Sequence, residues 1–202
     1  MEGTRRRRLP KAQRRLAIEE VAGELFAEHG YAGTRLEDIA ARAGVTKQLL
    51  YKHFRSKEEL YLTLLARYRD EILGRLGAGM ARPAPLADRI AATTDLWFAY
   101  IEENPHAATL LFGKGTGSPE VEEFLRENHS TARALQMALI QAEPGIGLPA
   151  EHLEPLAEFY RSAAAGLALW WIEHPEVSRA TVVQVVVDSW LARLEFAQRR
   201  PD

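Results

Sequence analysis

Apolar residues recur along this chain at helical intervals rather than strand intervals. Ile18, Ala22, Leu25 and Phe26 stand at i, i+4, i+7 and i+8, which predicts a helix over about residues 12–28 with one buried stripe. Gly30 follows as a C-terminal stop. Thr34 then predicts the start of a second, short helix, with Glu37 at capping-box spacing and Ile39 and Ala40 turned inward. Gly44 closes that helix. Thr46 predicts the cap of a third, in which Leu50 and Phe54 face inward at i and i+4. Ser56 and Glu59 repeat the capping-box spacing and open a long helix to about residue 76. Clusters of Gly and Pro then divide the chain into helices of roughly 86–103, 106–112, 119–142, 150–173 and 177–199. Val182, Val183 and the run Val185, Val186, Val187 are β-branched and mimic a strand. The 3.6-residue pattern continues through Trp190, Leu191 and Leu194, so a buried helix is expected there. The fold class is therefore all-α.

A short helix, a tight glycine turn and a second short helix form a helix-turn-helix at residues 34–54. Gly44 occupies the turn, where a positive φ is cheap for glycine alone, and Val45 plugs the angle between the helices. In this motif the second helix enters the major groove with its N-terminal residues at base edges. Those residues are Thr46, Lys47, Gln48 and Leu49. Lys47 suits guanine O6 and N7, Gln48 suits adenine N6 and N7, and Leu49 suits a thymine methyl. One turn on, Tyr51, Lys52 and His53 are matched to phosphate oxygens. Lys57 opens the fourth helix, where backbone N–H groups also favour an anion. Arg5 to Arg8, with Lys11, Arg14 and Arg15, can form an arm along the backbone or into a minor groove. Residues 1–11 are expected to lack structure in isolation. More ordinary roles compete: Phe54 and Tyr51 as core aromatics, His53 as a surface histidine, the arginine run as a solubilising tail.

Charge sharpens this picture. The chain of 202 residues carries a formal net charge of −2. Residues 1–60 hold 13 Lys and Arg against 9 Asp and Glu, while the remainder holds 13 against 19, so a front of net +4 adjoins a body of net −6. Only the front is suited to a polyanion. With no cysteine, disulfides, thiolate metal sites and cysteine nucleophiles are excluded. The six histidines are scattered singly, and the nearest pairing, Glu103 with His106, is interrupted by Pro105. Neither a metal nor a cofactor is expected, since zinc wants three or four convergent ligands. No signal-like N-terminus and no apolar run of about 18 residues appears, so no membrane partner is expected and the cytoplasm is the default location.

Residues from about 14 to 61 resemble the DNA-binding domain of the TetR/AcrR family of bacterial regulators. The resemblance is carried by Leu25-Phe26-Ala27-Glu28-His29-Gly30-Tyr31, Thr34, Asp38-Ile39-Ala40, Ala43-Gly44-Val45-Thr46, Leu50-Tyr51-Lys52-His53-Phe54 and Ser56-Lys57-Glu58-Glu59-Leu60. Two positions depart from the family pattern. Arg35 stands where a second Thr or Ser is usual, and Gln48 where Gly is frequent. Arg35 is expected to add a phosphate or base contact. The resemblance implies about nine helices, a DNA-binding domain over 1–57 and a helical effector-binding and dimerisation domain over 58–202. It implies a small-molecule pocket in the second domain, with Trp97, Tyr100, Phe112, Tyr160 and Trp170 as candidate lining residues. These aromatics also fit an ordinary helical core. A C-terminal dimer interface is likewise implied, for which Leu167 in the small-residue stretch Ala163–Leu169 is a candidate, with Val182, Val186, Ser189, Trp190 and Arg193 of the last helix. C2 symmetry would space two recognition helices for successive major grooves, about 34–36 Å apart.

The expected function is a ligand-responsive transcriptional regulator. It would be a homodimeric repressor, released from a pseudo-palindromic double-stranded DNA operator by an unknown, mostly apolar or aromatic small molecule. The rivals are a helical small-molecule-binding protein without regulatory DNA binding, and an enzyme. The second is disfavoured because no GxSxG, P-loop, GxGxxG or HExxH motif is present.

Overall fold

The computed structural model describes residues 10–113, 118–141 and 149–198. Nine helices and no strand occur among them. They are α1 Lys11–Gly33, α2 Leu36–Arg42, α3 Lys47–His53, α4 Lys57–Met80, α5 Leu86–Glu103, α6 Pro105–Phe112, α7 Pro119–Gln141, α8 Ala150–Ile172 and α9 Arg179–Gln198. The valine-rich stretch is helical, as the periodicity requires. Lys11 already belongs to α1, so the helix begins inside the stretch expected to lack structure. The arginine run Arg5–Arg8 lies outside the described residues.

Local chemistry explains most of the helix starts. The Thr46 hydroxyl accepts from the Leu49 N–H at 3.2 Å and caps α3. Ser56 does the same for Glu59 at 3.0 Å, and the Glu59 carboxylate reaches back to the Arg55 N–H at 2.6 Å. The box expected at Thr34 and Glu37 is not formed. Arg35 is the N-cap residue of α2 and makes no side-chain cap. The Thr34 hydroxyl instead donates to the carbonyls of Gly30 at 2.8 Å and Leu25 at 3.0 Å, sewing up the end of α1. That end bends at Gly30, whose φ of 70° breaks the helical path before one last turn to Gly33. Gly44 has φ 64°, the left-handed turn the motif requires.

α1, α2 and α3 close over Ile18, Ile39, Leu50 and Phe54, each with no measurable exposure. The same core continues into the body through α4. Leu60, Tyr61, Leu64, Leu65 and Tyr68 of α4 are buried, and the Tyr61 ring stands edge-on to Phe26 with centroids 4.7 Å apart. Buried Glu19 of α1 is held by Arg15 at 3.0 Å and by Arg67 of α4 at 3.5 Å, a second tie across the same junction. α6 also packs on α1, α4, α5 and α8. In the body, α5 is sandwiched between α4 and α9, while α7 lies on α8 and α4. α4 therefore runs from the helix-turn-helix into the helical body, four residues past its expected end and through Gly77 and Gly79.

Candidate DNA-binding surface and ligand cavity

α3 presents a two-sided surface. Leu50 and Phe54 are buried beneath it, whereas Lys47, Gln48, Tyr51 and Lys52 are exposed and share the outer face at i, i+1, i+4 and i+5 spacing, with exposed Thr46 capping the helix ahead of them. Leu49 is half-buried. Exposed Arg35 sits at the start of α2. Polar groups thus stand on a short rigid helix whose opposite face is clamped in the core, the geometry a groove-reading element needs.

The electrostatics of this face are more constrained than spacing alone implies. The Lys47 ammonium pairs with Glu37 of α2 and lies 5.9 Å from the Tyr51 ring centroid. This pair, by hydrogen bond and charge, raises Lys47 above and lowers Glu37 below their ordinary pKa values. An acceptor that approaches Lys47 competes with Glu37 for the ammonium. His53 is half-buried. Burial, followed by the charges of Lys11, Arg15 and Arg14, holds its pKa below the usual 6.5, so the ring is neutral at pH 7. These neighbours show that the basic start of α1 adjoins the end of α3. Arg15 is partly committed, since it pairs with Glu19 and its guanidinium lies 4.6 Å from the Phe54 ring centroid.

Lys57, a candidate phosphate contact, has an internal role: its ammonium donates to the carbonyls of Tyr31 at 2.7 Å and Thr34 at 3.1 Å and lies 4.4 Å from the Tyr31 ring centroid. Two of its three N–H groups hold the segment between α1 and α2. Local sequence could not reveal this, because its acceptors lie 26 and 23 residues away.

The second feature is a cavity of about 430 Å³ bounded by α4 to α9. Trp97, Phe112 and Tyr160 line it as expected. Tyr100 and Trp170 do not. The Tyr100 hydroxyl donates to Glu71 at 2.9 Å within the packing of α4 on α5, and burial and that carboxylate raise its pKa. Trp170 is 43% exposed and stacks on His174 at 4.1 Å. Sequence reasoning missed Asn128 and His129 of α7 and Arg161 of α8 in the lining. Burial, followed by the charge of Arg161, holds the His129 pKa below 6.5. Arg161 is matched to Glu158 by two bonds at 2.5 and 3.0 Å, and this pairing helps hold the Glu158 pKa at about 2.

The residues expected at a self-association face divide between core, cavity and surface. Val182 is buried in the core of its own chain, and Val186 and Trp190 line the cavity, Trp190 stacked on Tyr160 at 3.6 Å. Ser189 is exposed, and Leu167 and Arg193 are half-buried. The outward apolar residues are instead Phe159 and Trp170 on α8 and Val185 and Phe196 on α9, each between 43% and 61% exposed. The Val182, Val186, Trp190 stripe is the more apolar one, and the chain uses it to pack α9 against its own body.

Among the described residues there is no cluster of three or more His, Cys, Asp or Glu side chains that could hold a metal, and no helix long and apolar enough to cross a membrane.

With this geometry in place, likenesses to known proteins become specific. Residues 18–64 match the family model of bacterial regulatory proteins, tetR family. The transcriptional activator FasR of Mycolicibacterium smegmatis is 36% identical over 111 residues, 54% of this chain and 51% of that protein. The match therefore spans about half the length of that relative. The transcriptional repressor ComR of Escherichia coli is 28% identical over 170 residues, covering 79% of this chain and 80% of that one. A TetR-like regulator from Rhodococcus sp. RHA1 has the same fold, with TM-score 0.76 over 92% of this chain and 99% of that one at 18% identity. The helix-turn-helix is thus similar to the DNA-binding domain of the tetR family of bacterial regulatory proteins, and the whole chain shares the fold of a TetR-like regulator.

Proposed function

We propose that this chain is a homodimeric, ligand-responsive transcriptional repressor that occupies a pseudo-palindromic operator and blocks polymerase. The observation that carries this reading is the outer face of α3, where Lys47, Gln48, Tyr51 and Lys52 stand clear of a helix whose Leu50 and Phe54 are locked in the core. Lys47 and Gln48 meet base edges; Lys52, with Lys11 and Arg14 near the end of α3, meets phosphates. The relatives include repressors and one activator, all named HTH-type regulators, which supports DNA binding as the output.

A second copy docks on α8 and α9. Phe159, Trp170, Val185 and Phe196 supply an exposed apolar face of the kind that self-association covers. Ligand in the cavity supplies control. Ile72, Leu73, Leu76 and Met80 in the distal half of α4 line the cavity, while its proximal half carries Leu60, Tyr61 and Leu64 in the core shared with α1. The Ser118 hydroxyl ahead of α7 also bonds Glu58 at the start of α4, at 2.7 Å. A ligand that binds better when α4 is displaced shifts the dimer toward a state with mis-spaced recognition helices, by no more than its differential affinity for the two states.

Gel-shift titration with duplex from upstream of the protein's own coding sequence tests this reading. Sequence-preferring retardation by a dimer at low salt is expected. A dimer that prefers no duplex would leave the rival, a small-molecule binder without DNA binding.

A further inference from the structure

Four polar or charged side chains are buried among the described residues: Glu19, Thr34, Ser118 and Asn128. The first three have hydrogen-bond partners in Arg15, in the carbonyls of Leu25 and Gly30, and in Glu58. Asn128 is different. It is 9% exposed and lines the cavity, and its amide has no hydrogen-bond partner among the described residues. The side chain is nine-tenths buried but its amide atoms keep some access, so a molecule in the cavity can reach them. It also interrupts the apolar stripe of α7, where Val121, Leu125, Ala132 and Ile140 share its face. Also on the cavity wall, the Trp97 indole N–H and the Thr93 hydroxyl are buried without a hydrogen-bond partner among the described residues.

The charged groups of the wall are already neutralised. No Asp or Glu occurs among the lining residues, so nothing there receives a cation. Arg161 is held by two bonds to Glu158 and a third to Ser162 at 3.0 Å. Arg69 is bonded to Asp70 at 2.8 Å and lies 5.0 Å from the Phe124 ring centroid. An anionic ligand would have to displace an existing carboxylate; an uncharged acceptor has only to reach Asn128.

From this we infer that the cavity takes an uncharged, largely apolar molecule bearing one hydrogen-bonding oxygen, a ketone, ester, lactone or hydroxyl, held by the Asn128 amide. Apart from Thr93, Thr94, Gln136, His129 and the two paired arginines, the rest of the wall is mostly hydrocarbon and aromatic, and about 430 Å³ falls within the span of small-molecule sites. His129, neutral at pH 7, adds no charge to this wall. The inference rests on the cavity being the effector site and names the chemistry of its ligand.

Calorimetric titration of the full chain with three probes of one shape provides the test: 2-acetylnaphthalene, naphthalene and 2-naphthoate. The ketone is expected to bind about 3- to 10-fold tighter than naphthalene, the scale of one hydrogen bond, with the carboxylate weakest. Asn128→Leu, close in shape, should erase the preference of ketone over naphthalene. Asn128→Ser, which leaves the cavity open, should reduce it, and guards against a variant that has merely collapsed the site. A ketone-to-naphthalene ratio unchanged in both variants overturns the inference. So does naphthoate binding as tightly as the ketone, or no binding by any probe. Tight ketone binding that leaves DNA affinity unchanged would count against the ligand-responsive regulator, not against this ligand chemistry.

Discussion

Lys57→Met removes the ammonium that holds the junction of α1 and α2 while keeping an unbranched apolar chain of similar reach. Two charge-assisted bonds, at 2.7 and 3.1 Å, and the contact with the Tyr31 ring are lost. Bonds to a charged donor contribute about 1.5–3 kcal/mol each in protected sites. Lys57 is only half-buried and water can replace it at the freed carbonyls, so each bond is discounted to about 1 kcal/mol. A total of about 2–3 kcal/mol follows once a cation–π contact of about 0.5–1 kcal/mol is counted. For a chain of this length that corresponds to a fall in Tm of roughly 5–10 °C. Thermal unfolding followed by circular dichroism measures it. A salt series of DNA binding then separates the two possible roles, because a phosphate-binding lysine contributes about 0.9 to the slope of log K against log salt. The structure predicts a lower Tm and an unchanged slope. A Tm within about 1 °C of wild type together with a slope shallower by about one would refute the reasoning and return Lys57 to the phosphates.

Four other outcomes follow from the geometry. Glu37→Gln frees Lys47 and removes a negative charge from the DNA-facing side, so binding to duplex should tighten in fluorescence anisotropy; the gain should vanish in a Lys47→Ala background. Gln48→Ala should cost about 1–3 kcal/mol per half-site and relax base preference at one position, read by competition between operator variants. The depressed His53 pKa means that the unfolded chain binds its proton more tightly, so the stability His53 contributes is complete well above pH 6.5 and falls as pH drops through that value. A phosphate beside the ring would reverse this on DNA: the pKa rises, binding takes up a proton, and affinity grows from pH 7 to 5.5, whereas an NMR titration that places His53 identically with and without duplex removes it from the contact surface. Glu19→Leu leaves Arg15 and Arg67 without their shared carboxylate and should destabilise by about 3 kcal/mol in urea unfolding.

Much of this molecule was legible because the relevant interactions are local. Thr46 and Ser56 cap helices through residues three positions away, and Gly44 announces its own turn. The errors arose where a side chain is claimed from a distance. Thr34 and Glu37 have capping-box spacing, yet Thr34 closes the preceding helix and Glu37 is taken by Lys47. Periodicity finds an apolar stripe but not what covers it: Val186 and Trp190, candidates for a dimer face, line the chain's own cavity. Adjacent Trp170 and Trp171 illustrate the same limit. Trp171 is buried and donates its indole N–H to the Val177 carbonyl at 2.7 Å, while Trp170 points outward. Asn128 carries a signal of its own in the sequence, a polar side chain inside the apolar stripe of α7.

The central claim is that the outer face of α3, presented twice by a dimer, reads DNA sequence. Selection of binding duplexes from a random library by the full chain tests it most directly. The account predicts enrichment of an inverted repeat whose half-sites are centred about one helical turn apart or a multiple of it, a preference altered by Gln48→Ala. Recovery of duplexes with no common sequence, or of a preference indifferent to Lys47, Gln48 and Tyr51, would contradict it.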